Sequence, residues 1–287
     1  MTTLPAHAAR RCQRVLNPLH SAIYFTGDYR EEVAKFGVTD WMAAYLANRA
    51  SALGRVGPGT VTAVFHNFKH EVVARHLPGL WSSITPEEAL EARLRAADSM
   101  LRRILGDEVV GSPEMAEAAG LALRATEACV REARPLYSAH ADLPVPDAPH
   151  LALWHAATLL REHRGDVHTV TLVHAGLDPV ESLVSHTAGG RGMSPEWVLR
   201  TRGWSPEEWS AAEDRLRGRG LLDAAGELTE AGRELRESLE DATDRLDAAP
   251  FEHLGAAGVA RLTELAGAFA ARAAEAGAFP ANLIGKR

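Results

Sequence analysis

The sequence predicts a mainly α-helical fold, with an all-helical first half and a second half that adds a helix-turn-helix and one small β-hairpin. Three observations predict it. Apolar residues recur at helical spacing through much of the first 145 residues. Two Ser-Pro-Glu helix starts, at Ser194 and Ser205, stand one helix and one turn apart. Strand signals are confined to one short run, Gly220 to Thr229.

In chain order, the spacing predicts helices over Asp40–Leu53, Thr60–His76, Pro86–Leu105 and Pro113–Ala133. Gly54 to Gly59 is a Gly/Pro turn, and Leu77-Pro78-Gly79 stops a helix. Thr85-Pro86-Glu87-Glu88 supplies an N-cap, a proline at the first helical position and early carboxylates. A proline-rich connector, Leu143 to Pro149, marks a boundary between a helical domain, residues 1–145, and a second domain, residues 146–287. The second opens with a helix over Ala148–Arg164, stopped by Gly165, with Asp166 as a cap for the next. Asp178-Pro179-Val180-Glu181 starts a short helix. A helix-turn-helix follows at about 194–219, a hairpin at about 220–229, and a long helix from Glu230 to about Ala248. This is the winged-helix order.

The chain has 287 residues, enough for a substantial core without covalent staples. Cys12 and Cys129 are its two cysteines, too few for a disulfide framework or a thiolate metal site, and they suit a reducing cytosol. No apolar run reaches the length of a membrane span, and residues 1–17 lack the apolar stretch of a leader. A cytoplasmic protein with no membrane partner is expected. The first 145 residues carry 16 basic and 16 acidic side chains, the remainder 15 and 22, so the net charge of −7 lies in the second half.

The run from Trp209 to Glu240 resembles part of a known fold, above all in Arg215-Leu216-Arg217-Gly218-Arg219-Gly220-Leu221-Leu222 and Leu228-Thr229-Glu230-Ala231-Gly232-Arg233. It is similar to the recognition helix, wing and following helix of MarR-type regulators. Leu151–His168, Tyr45–Gly54 and Thr201–Trp209 resemble, more broadly, an actinobacterial helix-turn-helix family of unassigned function. The resemblance implies a MarR-like winged-helix fold in the second half. It also implies DNA as a partner and a homodimer formed through terminal helices, the Ala-rich Val259–Ala276 among them.

The residues themselves argue against DNA as the main partner. Duplex affinity comes largely from neutralising phosphates. The recognition segment sets Glu207, Glu208, Glu213 and Asp214 against Arg215, Arg217 and Arg219, and its N-terminal turn is acidic. The hairpin holds Asp223 and Glu227 with no basic residue. If DNA is bound, Arg215, Arg217 and Arg219 are the residues that would hold it.

The densest polar cluster runs from Trp154 to His168. On a helix, His155, Thr158 and Glu162 share one stripe, with Trp154 and Arg161 on the next. A carboxylate near an imidazole can orient it and raise its pKa, which gives His155, Glu162, His163 and His168 as candidate catalytic residues. Arg161, Glu162 and Arg164 would equally serve as an ordinary ion-pair network. A ligand pocket is the other candidate, with Tyr45, Arg49, His66, Phe68, Trp81, Trp154 and Arg161 as binding residues, among the aromatic side chains of the first half. His66 and His70 stand four apart on the predicted Thr60–His76 helix, a chelating spacing without a third ligand, so no metal site is assigned. Dinucleotide, P-loop and GxSxG motifs are absent, and no cofactor is expected. Three readings follow: a small-molecule-binding protein on a winged-helix scaffold with weak or no DNA binding, a cofactor-independent acid/base enzyme, and a DNA-binding regulator.

Overall fold

The computed structural model describes residues 4–190 and 192–280. Its helices, in chain order, are α1 (Ala8–Ser21), α2 (Asp28–Ala34), α3 (Trp41–Ala50), α4 (Pro58–Phe65), α5 (His70–His76), α6 (Leu80–Ser83), α7 (Pro86–Leu105) and α8 (Asp107–Val110). They continue with α9 (Pro113–Thr126), α10 (Pro135–Ala141), α11 (Pro149–His174), α12 (Pro179–Ala188), α13 (Pro195–Arg202), α14 (Pro206–Gly218), α15 (Glu230–Leu246) and α16 (Ala248–Glu275). Short 3₁₀ turns cover Ala22–Tyr24 and Ser51–Leu53. None of these helices is long and apolar enough to cross a membrane.

The chain forms two compact units, each built from separate stretches of sequence. Among the described residues the first comprises 4–55, 79–167 and 244–279, and the second comprises 56–78, 168–190, 192–243 and Pro280. In the first unit α16 packs against α1 and α9, and α2 against α7. The apolar stripe Val259, Leu262, Ala266, Phe269 and Ala273 of α16 is buried. α7 begins and ends where its sequence says it should. Thr85 accepts from Glu88 N at 3.1 Å while the Glu88 carboxylate accepts from Thr85 N at 2.8 Å, and Gly106 follows the last turn.

The second unit has its own core, including Leu172, Val184, Val198, Trp209, Leu216, Leu222 and Leu239. Burying side chains of this size stabilises by roughly 1.5–3 kcal/mol each. Ser194 caps α13, and Ser205 with Glu208 forms a capping box on α14, so the helix-turn-helix lies where the sequence places it. Gly203 makes its turn. It has φ +83°, and a Cβ there would lie 2.1 Å from Val72 Cγ2, so only glycine lets α5 approach. The indole Nε1 of Trp204 donates to the Asn67 carbonyl (2.9 Å), and Lys69 Nζ pairs with Glu208 (2.6 Å).

Several expectations need correction. The hairpin at 220–229 is not a pair of strands: among the described residues it is one isolated antiparallel bridge, Leu222 to Leu228. Two backbone bonds, Thr229 N to the Leu221 carbonyl and Asp223 N to the Glu227 carbonyl, flank that bridge, and α15 starts at Glu230, so the pairing goes no further. Asp223 closes the loop instead, its carboxylate accepting from Ala225 N and Glu227 N. The Thr60–His76 helix is two helices, broken at His66 with φ +52°, so His66 and His70 do not share a helix face. α11 runs straight through Gly165, where the sequence suggested a stop. Asp166 caps a different helix from the one expected: its carboxylate accepts from Tyr137 N (2.9 Å) in the first turn of α10.

Candidate functional site

Within the first unit, two helices each present one polar stripe. Trp41, Tyr45, Asn48 and Arg49 lie at i, i+4, i+7 and i+8 on α3, and Trp154, Thr158, Arg161 and Glu162 repeat that spacing on α11. Together with Arg93 of α7, His20 of α1 and Tyr24 they form a polar chamber in which His20, Asn48, Arg49, Arg93, Thr158 and Glu162 are buried, while Tyr24, Trp41, Tyr45 and Arg161 are partly exposed.

Its centre is the Glu162 carboxylate, 2.6 Å from Arg161 Nη1 and 3.6 Å from Arg49 Nη2. Burial pushes the carboxyl upward, but Arg161 and Arg49 more than offset this and hold it well below the usual range. Arg49 also donates to the Tyr45 hydroxyl at 3.4 Å. Arg93, 3% exposed, donates from Nε to Asn48 Oδ1 at 3.1 Å and lies 4.5 Å above the Trp154 ring. Among the described residues Arg93 Nη2 and the Trp154 indole nitrogen are buried without a hydrogen-bond partner. Burial pushes the Arg93 pKa down, yet a guanidinium stays charged at neutral pH.

A hydrogen-bond chain fixes the remaining protons. Thr158 Oγ1 donates to the Trp154 carbonyl, so it accepts from His20 Nδ1 (2.9 Å), and His20 Nε2 in turn accepts from the Tyr24 hydroxyl (3.1 Å). Burial lowers the His20 pKa well below its ordinary value, with Arg161 adding to the shift, and the ring is neutral. Burial, with Arg93 second, likewise takes His140 to about 3 and His155 to about 4. Asp166 moves the other way, raised to about 6 by burial. Near neutral pH the chamber therefore holds three guanidiniums against Glu162 and Asp166.

An aromatic pocket adjoins this charge. It is a depression open to solvent on one side, about 390 Å³ including that open part, with Tyr24, Phe25, Trp41, Tyr45, Asn48 and Arg30 among its lining residues. Trp41 stacks on Tyr45 with centroids 5.6 Å apart, and Tyr24 meets Tyr45 at 5.4 Å.

The sequence candidates divide between the two units. Tyr45, Arg49, Trp154, Arg161 and Glu162 converge in the first, but Trp81, also there, is a core side chain, 2% exposed and outside the pocket lining. His66 and Phe68 belong to the second unit, where His66 Nε2 faces Ser182 Oγ (3.4 Å) and Arg202 lies over the Phe68 ring (4.3 Å). The proposed catalytic group is also dispersed. No hydrogen bond joins His155 to Glu162 among the described residues. His163, in the first unit, has both ring nitrogens engaged: Nδ1 donates to Asp247 (2.7 Å) and Nε2 accepts from Val130 N (3.3 Å). His168, in the second unit, pairs with Thr243 Oγ1 (2.9 Å). Sequence reasoning missed Arg93 and Asn48. Each sits in a buried stripe, Arg93 between Ala89, Ala92 and Ala96, where a cation among alanines was the available signal.

In the second unit, the three arginines of the recognition segment are already neutralised. Arg215 pairs with Asp178 and Glu181, Arg219 with Glu181 and the carbonyls of Ala175 and Gly176, and Arg217 with Glu213 and Asp214. The residues α14 leaves exposed are Pro206, Glu207, Ser210, Ala211, Asp214, Arg215 and Gly218. A family model described as "Helix-turn-helix family" matches residues 9–280. The chain belongs to that helix-turn-helix family. Its match spans both units, so the polar chamber lies inside the family's extent just as α13 and α14 do. No curated protein and no solved structure matches the chain.

Proposed function

We propose that this helix-turn-helix family member binds a small organic molecule in the chamber of its first unit, and that α13 and α14 act as a scaffold with weak or no affinity for DNA. The observation that supports this reading is an aromatic pocket whose lining residue Asn48 is held by the buried guanidinium of Arg93, one nitrogen of which has no hydrogen-bond partner among the described residues. A buried charge without a full complement of partners is costly, and a ligand of opposite sign offsets that cost. Native mass spectrometry of the freshly purified full chain tests it. A mass increment of small-molecule size that disappears on unfolding supports the reading. A bare polypeptide mass, with no small molecule raising the melting temperature, overturns it.

Family membership favours a second reading, a DNA-binding helix-turn-helix protein, to which the MarR resemblance of Trp209 to Glu240 would add a regulator's role and a homodimer. That reading requires Arg215, Arg217 and Arg219 to leave their carboxylate partners for phosphates. Selection of duplexes from a random pool at low salt, with light scattering for the oligomeric state, decides it. An enriched sequence whose binding is lost in Arg215→Ala and Arg219→Ala would put DNA recognition first.

A further inference from the structure

The chamber's donors are more selective than its charge alone. Asn48 is 2% exposed and lines the aromatic pocket. Because Arg93 Nε donates to its Oδ1, the amide cannot turn over, and its NH₂ group is the end left for the pocket. That NH₂ donates to nothing among the described residues. Behind it, Arg93 Nη2 is buried without a hydrogen-bond partner. Tyr24 offers no competing donor, since its proton is committed to His20 Nε2. The pocket floor therefore asks for an acceptor, and the guanidinium behind it asks for a negative one. The walls ask for a flat ring: Trp41, Tyr45 and Tyr24 stand at aromatic contact distances from one another.

We infer that the ligand is a planar aromatic monocarboxylate, its ring against Trp41 and Tyr45 and its carboxylate received by the Asn48 amide in the field of Arg93. This rests on the small-molecule reading above and narrows it. The floor supports a monoanion over a dianion, since it offers one amide NH₂ and one guanidinium nitrogen, Arg93 Nη2, without a hydrogen-bond partner among the described residues, a match for a single carboxylate. A second negative charge would create a new buried imbalance. A carboxylate also matches an amide and a guanidinium in plane, whereas an alcohol or amide ligand would leave the charge uncompensated.

The test is calorimetric titration and thermal shift on the full chain with benzoate and 2-naphthoate, set against benzamide, cyclohexanecarboxylate and inorganic phosphate. Benzoate or naphthoate is expected to bind saturably, with benzamide and cyclohexanecarboxylate about tenfold or more weaker, and phosphate weaker still. Asn48→Asp, nearly unchanged in size, gives Arg93 a carboxylate partner and turns the floor from donor to acceptor. It is expected to cut benzoate affinity about tenfold or more without lowering the melting temperature of the free protein. Arg93→Gln should weaken benzoate similarly. Equal binding of benzamide, tight binding of phosphate, or full benzoate affinity in Asn48→Asp each overturns the inference. If no aryl carboxylate binds while native mass spectrometry still shows a small molecule, the ligand class is wrong and the broader reading stands. If both are negative, both readings fall.

Discussion

Arg49 and Arg93 in the first unit and Arg215, Arg217 and Arg219 in the second are one side-chain type under opposite constraints. The first pair is buried, and Arg49 shares the single Glu162 carboxylate with Arg161. The second set is part-exposed, and every member has at least one carboxylate within ion-pair distance; Glu181 serves two of them. A buried guanidinium with an unpartnered nitrogen, that of Arg93, therefore lies in the first unit, while on α14 exposed Glu207 and Asp214 stand beside arginines already paired with carboxylates. A fold label and a charge ledger point to different ligands. The residues that carry the charge are the better guide, because phosphate binding depends on cations and not on helix order.

The largest expected effect breaks the first half of that comparison. Glu162→Gln leaves Arg49 and Arg161 without their shared anion, and removing one partner of a buried ion pair typically costs about 3–5 kcal/mol. Urea denaturation should show a loss of that order. If the charge surplus governs binding, the same variant should bind benzoate more tightly and recover part of the lost stability when benzoate is added. A loss below about 1 kcal/mol would mean the chamber is wet enough to solvate its arginines.

How far this contrast was legible beforehand depends on which residues carry it. The helix-turn-helix could be read directly because its signals are local: Ser194 and Ser205 cap the helices they precede, and the acidic balance of residues 205–219 is a matter of composition. Half of the chamber could be read too, since Arg49, Trp154, Arg161 and Glu162 each fall on a recognisable stripe. The other half could not. Arg93 and His20 reach it from segments far apart in sequence, and no local pattern records that residues 79–167 and 244–279 join one unit while 56–78 joins the other. The Thr60–His76 helix failed for a similar reason. Its apolar period continues across 66–69, but the break at His66 lets Asn67 and Lys69 meet Trp204 and Glu208, contacts invisible in one segment alone.

A smaller effect probes how the second unit holds its helix-turn-helix. Gly203→Ala places a side chain at φ +83° and against Val72 Cγ2, and should cost about 2 kcal/mol or more through backbone strain and overpacking. Val72→Ala should restore the part due to contact and none of the part due to φ. A double-mutant cycle in denaturant separates the two, and additive losses would show that the close approach is not tight.

Acid stability tests the neutral imidazoles of the first unit. His155 titrates near 4 when folded, with an ordinary value of 6.5 when unfolded, so between those values the unfolded chain binds more protons. Its contribution to stability is complete above about pH 6.5 and is lost as the pH falls toward 4. His20 and His140 act in the same direction. Asp166, raised to about 6, opposes them, since the folded state gains a proton there first. Melting temperature should therefore fall on acidification from pH 6.5, and His155→Gln should flatten the fall by roughly 1–2 kcal/mol across the window. An unchanged slope in that variant would show that His155 is hydrated.

The smallest expected effect addresses the other half of the comparison. Glu181 anchors both Arg215 and Arg219, and its carboxylate also accepts from Asp178 N in the capping box of α12. Glu181→Gln keeps an acceptor at that capping position but removes the negative charge, so it loosens the two arginines without dismantling the helix start. Glu181 is 5% exposed, but both arginines reach solvent and Gln fills the same space, so the loss of stability should stay near about 1 kcal/mol. If neutralised arginines are what limits DNA binding, this variant should gain weak, sequence-independent affinity for duplex that steepens as salt is lowered, measured by fluorescence anisotropy. If the wild type already binds such a duplex as tightly, the ion pairs are no barrier to phosphate. The contrast between the two sets of arginines would then lose its meaning for function.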